Sequence, residues 1–266
     1  MPSSLLTIRT IGIINWIGLR TLIGREIRRF MGVALQTLAA PVVTTVLFYT
    51  IFALAFGGEG RMMGEMPFLK FLAPGLIIMS MIQNAFTNTS SSLIISKIQK
   101  NIVDMLMPPL SSFELLIGLL VGGMVRGLMI GLIAVPVMAM IAPMDFTNIF
   151  IAILFGVLGT MMLSATGILA GLWADKFDEI AAVTNFVITP LAFLSGTFYS
   201  IKTLPPLWQT IAHFNPFFYM IDGFRTGFTG TSDSNIWLGA AALAIINIVL
   251  MMAVLWILRS GYKIKS

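Results

Sequence analysis

"KTLPPLWQTIAHFNPFFYMIDGFR", residues 202–225, decides the architecture of this chain. The aromatic side chains Trp208, Phe214, Phe217, Phe218 and Tyr219 share the segment with Pro205, Pro206, Pro216, the single histidine His213, Asp222 and Arg225. A continuous membrane span does not hold so many helix breakers and charges, and a solvated loop does not hold so many aromatics. Pro205-Pro206 suits the first turn of a helix running to His213. Asn215-Pro216 breaks that helix, and a second one runs through Phe228. The segment 202–228 therefore reads as a re-entrant or interfacial helical pair at the outer leaflet, its aromatics at headgroup level. An ordinary amphipathic loop lying on the membrane is the alternative.

The composition around it demands lipid. Of 266 residues, 58% are hydrophobic and 10% charged, with mean hydropathy +0.96, whereas soluble domains carry about 25% charged residues. There is no cysteine, which excludes disulfides and thiolate metal sites. The net charge of +5 is no nucleic-acid signature, because the basic residues lie between apolar runs and do not cluster on a soluble face. The N-terminal stretch "MPSSLLTIRTIGIINWIGLRTLIGREIRRF" lacks the uninterrupted apolar core and small-residue cleavage site of a secretory signal.

A bilayer core about 30 Å thick needs about 20 apolar residues in a helix. Charge-free stretches of that length lie at 30–58, 71–96, 146–174, 180–201 and 234–258, and a sixth, 115–144, is interrupted only by Arg126. The expectation is an all-α integral membrane protein of six spans in one domain over residues 1–266. With the N-terminus inside, the cytoplasmic segments hold Arg9, Arg20, Arg25, Arg28, Arg29, Lys97, Lys100, Lys176, Arg259, Lys263 and Lys265, against Arg61, Lys70, Lys202 and Arg225 outside. The positive-inside rule favours that orientation, with both termini cytoplasmic. The opening segment then falls outside, between spans five and six.

Two cytoplasmic features stand out. Residues 5–29 alternate Leu and Ile with Arg9, Arg20, Arg25, Arg28 and Arg29, which suits an amphipathic helix in the inner interface. The alternative is a plain extension of span one. Residues 97–107 set Lys97, Lys100 and Asp104 against Ile98, Ile102, Val103, Leu106 and Met107, the pattern of a short two-faced helix stopped by Pro108-Pro109. Such a helix suits the grip of a soluble partner, and a plain interfacial turn is the other reading.

Enzyme signatures are absent from the sequence. It has no G-x-x-x-x-G-K-[ST] loop, no H-E-x-x-H and no G-x-S-x-G. A lipid-linked substrate could still be met by a membrane-embedded enzyme, but Glu59, Glu65, Asp145, His213, Asp222 and Asp233 adopt no recognisable catalytic spacing. A secondary transporter would show internal repeats, and none is visible. The hydroxyls of "NAFTNTSSS", residues 84–92, read as helix-packing groups. Arg126 is the deepest charge, and such groups are functional by default unless they snorkel or pair structurally. Asp222 and Arg225, three apart on one helix, are placed to pair locally.

These stretches resemble a known family. "KIQKNIVDMLMPPLSSFELLIG" after span two, "LSGTFYSIKTLPPLWQTIAHFNPFFYMIDGFRTG" after span five and the six-span frame are similar to the ABC-2 type permeases, the membrane subunits of bacterial ATP-binding-cassette exporters. The specific part is carried by Ser195, Gly196, Phe198, Tyr199, Pro205, Pro206, Asn215, Pro216, Phe218, Tyr219, Asp222 and Arg225. The resemblance implies that 97–107 is a coupling helix, contacting an ATPase through Lys97, Lys100, Asp104 and Met107. It implies that 5–29 also contacts the ATPase, and that Trp208, Phe217, Tyr219, Asp222 and Arg225 belong to an outer gate. It further implies a homodimer with spans one and five near the two-fold axis, two separately encoded ATPase subunits that bind ATP and Mg, and residence in a bacterial inner membrane. The cargo implied is lipid-like, glycan-linked or drug-like. No cofactor is expected in this chain itself.

Overall fold

The computed structural model describes residues 14–56, 62–63, 66–101 and 109–261. Six helices within them are long and apolar enough to cross a membrane. They are span one, Leu35–Phe56; span two, Phe68–Ile98; span three, Ser112–Ala139; span four, Ile149–Trp173; span five, Phe177–Leu194; and span six, Ile236–Ser260. The chain is an all-α membrane protein. Extended structure among the described residues is limited to a small hairpin before span two, with Met63 opposite Met66.

Spans two, three and four form the centre. In their most apolar stretches 72%, 56% and 50% of residues are buried, against 22%, 11% and 17% for spans one, five and six. The centre closes by removal of side chains. A Cβ on Gly167 of span four would lie 2.1 Å from Thr89 Oγ1 on span two, and Thr89 donates across that contact to the Ser164 carbonyl at 2.9 Å. The packing reading of residues 84–92 holds for Thr89 and for Ser90, which donates to its own helix at Phe86. Asn84 and Ser92 have other partners.

Spans one and five each contain a widened π-helical turn, Leu35–Ala39 and Thr184–Ile188. Both precede a proline, Pro41 and Pro190. A proline lacks its N–H and its ring collides with the carbonyl four residues back. Those carbonyls belong to Thr37 and Phe186, inside the two wide turns, so the widening takes up the clash without breaking the span.

The N-terminal helix, Trp16–Met31, is capped by Asn15, whose Oδ1 accepts from Gly18 N–H at 3.0 Å. Span three starts with a capping box: Ser111 N–H donates to Glu114 Oε2 at 2.6 Å, and Glu114 N–H donates to Ser111 Oγ. The other oxygen of Glu114 accepts from Asn15 N–H, which joins the two helix starts. From there Leu22 seats on Gly118 and Glu26 on Gly122, so the helix runs beside the first turns of span three. Glu26 and Phe30 are buried. The interfacial helix expected over 5–29 thus begins at Trp16 among the described residues and carries a buried face into the bundle; residues 5–13 lie outside the described ones.

Two helices between spans five and six, Pro206–Phe214 and Pro216–Thr229, meet at Asn215. The second lies against span four, where Gly223 faces Phe155 and a Cβ on Gly227 would strike the Ala152 backbone nitrogen at 2.6 Å. Met220 touches Gly159, ten residues beyond Ile149, about 15 Å along span four at 1.5 Å per residue. The hairpin therefore descends beside span four and climbs back to Gly230, whose φ of +75° ends the helix in the left-handed region.

Candidate functional site

Asn215 fixes the turning point of the helical hairpin before span six. Its Oδ1 caps Phe217 N–H at 3.1 Å, and its Nδ2 donates to the Leu191 carbonyl and to Ser195 Oγ, tying the turn to the end of span five. Beyond it Asp222 and Arg225 are 3% and 4% exposed. They do not pair with each other. The Asp222 carboxylate accepts from Ser232 Oγ, Asp233 N–H, Ser234 N–H and Ser234 Oγ at 2.7–3.0 Å, and so holds the loop before span six. Arg225 donates to the carbonyls of Phe71, Gly196 and Thr197, with its guanidinium carbon 3.5 Å from the centre of the Phe71 ring. Local pairing is overturned because backbone groups on both sides of the helix compete for the two charges and offer more hydrogen bonds than either could offer the other.

Both residues line a polar cavity of about 570 Å³, with Lys202, Ser200, Asp233 and Phe71. The other expected gate residues lie elsewhere. Trp208, half exposed, lines a separate cavity of about 350 Å³ with Leu191, Ile211 and Phe214. Phe217 is buried in the main core, and Tyr219 sits between Phe218 and Gly239 of span six. The structure brings together Asp222 and Arg225 with Lys202, and leaves Trp208, Phe217 and Tyr219 outside that group.

On the opposite side, Lys97 occupies the last turn of span two and does not open a new helix. Its ammonium caps the end of span four by donating to the Leu172 and Ala174 carbonyls, and it lies 3.6 Å from Asp175. The loop after span two is thereby joined to the loop after span four. Lys100 is exposed, in a turn with φ of +59°. Asp104 and Met107 lie outside the described residues.

A third polar region runs along span two. Ser80, Gln83, Asn84, Thr87, Asn88 and Ser91 recur at i, i+3, i+4, i+7, i+8 and i+11, a polar stripe along one face of span two. Arg126 of span three donates from Nη2 to Asn84 Oδ1 at 2.8 Å. Arg29 donates to Ser91 Oγ and to the carbonyl and side-chain oxygens of Asn88. Glu26 accepts from Arg25, Arg29 and Ser92. The spacing of these residues is visible in the sequence; the burial of Glu26 is not, because within an interfacial helix over 5–29 nothing local separates a carboxylate facing the bundle from one facing water. No group of three or more metal-ligating side chains occurs among the described residues.

The six spans and the buried charges of the hairpin belong to a membrane protein whose sequence relatives are transport proteins. The chain belongs to the ABC-2 type transporter family, whose sequence model matches residues 18–229. It is 37% identical over 219 residues to the inner membrane transport permease YadH of Escherichia coli K12, covering 82% of this chain and 85% of that one. It is 24% identical over 242 residues to nodulation protein J of Neorhizobium galegae, covering 88% and 90%. Nodulation protein J of Sinorhizobium fredii is 23% identical over 215 residues, covering 79% of each chain.

Proposed function

We propose that this chain is the permease subunit of an exporter in a bacterial inner membrane, driven by a separately encoded ABC ATPase. One observation carries the reading: a family match over residues 18–229 in a sequence with no phosphate-binding loop of its own. ATP and Mg are bound on the partner, and this chain performs no chemistry. Two copies pair with two ATPase subunits and move a lipid-like, glycan-linked or drug-like cargo outward, both termini facing the cytoplasm. The relative's printed name, inner membrane transport permease, supports the location, and the excess of Lys and Arg on the inner segments supports the orientation. The outer helical pair lies within the outer leaflet and serves as the gate.

Coupling is assigned to residues 97–107. Lys97 serves the join to Leu172 and Ala174, so the contact with the ATPase falls to Lys100, Asp104 and Met107. The doubly reversed variant Lys100→Glu with Asp104→Lys is expected to cut cargo-stimulated ATP hydrolysis of the copurified complex to its unstimulated level, with membrane insertion intact. Stimulation at the wild-type level would place the contact elsewhere.

The homodimer is assigned to spans one and five, which are among the least covered; the exposed small residues Ala181 and Ala182 of span five permit a close helix approach. Because the chain has no cysteine, single cysteines at exposed positions such as Leu47 and Phe186 give a clean readout. Oxidative cross-linking in native membranes is expected to give a covalent dimer from spans one and five, and no band from Ile248 of span six. A dimer through Ile248 alone would overturn the assignment.

A further inference from the structure

Arg126 stands midway along span three, is 8% exposed and has no carboxylate partner among the described residues. Its Nη2 reaches Asn84, while its Nε is buried without a partner. One helical turn nearer Ser112, the fully buried Asn88 leaves its Nδ2 unpartnered where it faces Gly122. The nearby carboxylate, Glu26, is already engaged by Arg25, Arg29 and Ser92, and the charges of Arg29 and Arg126 repel. Two guanidiniums, Arg25 and Arg29, thus share the one carboxylate, Arg126 has none, and the seam holds two buried N–H donors without a partner. What the seam lacks is an anion with acceptor oxygens.

The surroundings say what carries the anion. Asn84 is both the partner of Arg126 and part of the wall of a groove of about 310 Å³ between spans one and two. Gln36, Thr44, Ser80 and Gln83 supply its polar lining, and Phe48 and Leu76 its apolar lining. An amphiphile matches that division. We propose that the Arg126–Asn84–Asn88 seam binds the phosphate group of an anionic lipid-like molecule whose chain lies along the groove. That such a molecule is cargo rests on the transport reading; the binding itself does not.

The test uses the full chain in nanodiscs of phosphatidylcholine alone, with added phosphatidylglycerol, or with inorganic phosphate in the buffer, and reads the midpoint of thermal unfolding. Phosphatidylglycerol is expected to raise the wild-type midpoint by about 5 °C, and inorganic phosphate to leave it unchanged. Arg126→Gln is expected to abolish the lipid effect. Asn84→Asp is expected to abolish it too while raising the midpoint in phosphatidylcholine alone, because the carboxylate then sits where the amide oxygen accepted Nη2. An undiminished phosphatidylglycerol shift in Arg126→Gln, or an Asn84→Asp protein that is less stable than wild type in the neutral lipid, would overturn the site. An equal shift from inorganic phosphate would remove the lipid from the proposal. None of these readouts involves ATP, so failure here and failure of the coupling assay are separate events.

Discussion

Arg225→Ala is expected to cost about 3–5 kcal/mol and to leave little protein monodisperse after detergent extraction and mild heating. Its guanidinium is 4% exposed and gathers three backbone carbonyls from two regions distant in sequence, Phe71 on span two and Gly196 and Thr197 after span five. Hydrogen bonds from charged donors are worth about 1.5–3 kcal/mol each, and removal of the donor leaves the acceptors of the 196–197 turn without it. The ring of Phe71 also loses the cation above it. A loss of that size is a large part of a total stability of about 5–15 kcal/mol. Arg225→Lys is expected to recover only part, since an ammonium lacks the planar fork that reaches both directions. Asp222→Ala is expected to lose about as much through release of residues 232–234. Because the two charges hold different segments, the double alanine variant should be worse than either single one. A double variant more stable than Asp222→Ala alone would show that they act as a pair.

The contrast between pairing and parting marks what the sequence can and cannot disclose. The six spans follow from apolar length, and their number is set by the bilayer thickness whatever the packing. The break at Asn215-Pro216 follows from proline chemistry. Partner choice is different. At i and i+3 Asp222 and Arg225 are neighbours on paper, yet the backbone of Gly196, Thr197, Asp233 and Ser234, brought in by tertiary folding, offers both charges more hydrogen bonds. Lys97 repeats the lesson. The apolar pattern after Ser96 runs on without interruption, so nothing local distinguishes the last turn of span two from the first turn of a new helix. The uncapped carbonyls of Leu172 and Ala174 draw the lysine, and they are more than seventy residues away in the chain. The polar stripe of span two was legible as spacing, but a stripe can face a packed neighbour or open space, and periodicity does not distinguish the two.

Glu26→Ala is the second substitution with a large expected effect, and the more informative one about how the N-terminal helix is held. The carboxylate is fully buried over Gly122, where a Cβ would stand 2.6 Å from the Glu26 Cβ. Span three therefore presents bare backbone at the point where the glutamate crosses it. Removing one partner of a buried ion pair costs about 3–5 kcal/mol, because the remaining charge stays desolvated. Arg29 retains 27% of its side-chain exposure and its contacts with Asn88 and Ser91, so the lower half of that range is expected. The remaining cation then adds to the positive field around Arg126. Removing both charges is a different perturbation. Glu26→Leu with Arg29→Met keeps the volume and removes the stranded charge, and replacement of buried pairs by apolar groups is often neutral or stabilising. The double variant is expected to recover most of the thermal midpoint lost in Glu26→Ala. If it recovers none, the glutamate acts through its hydrogen bond from Ser92 at 2.9 Å and not through the arginine. In that event Ser92→Ala alone should reproduce the loss, and the N-terminal helix is held to span two by one neutral hydrogen-bond donor.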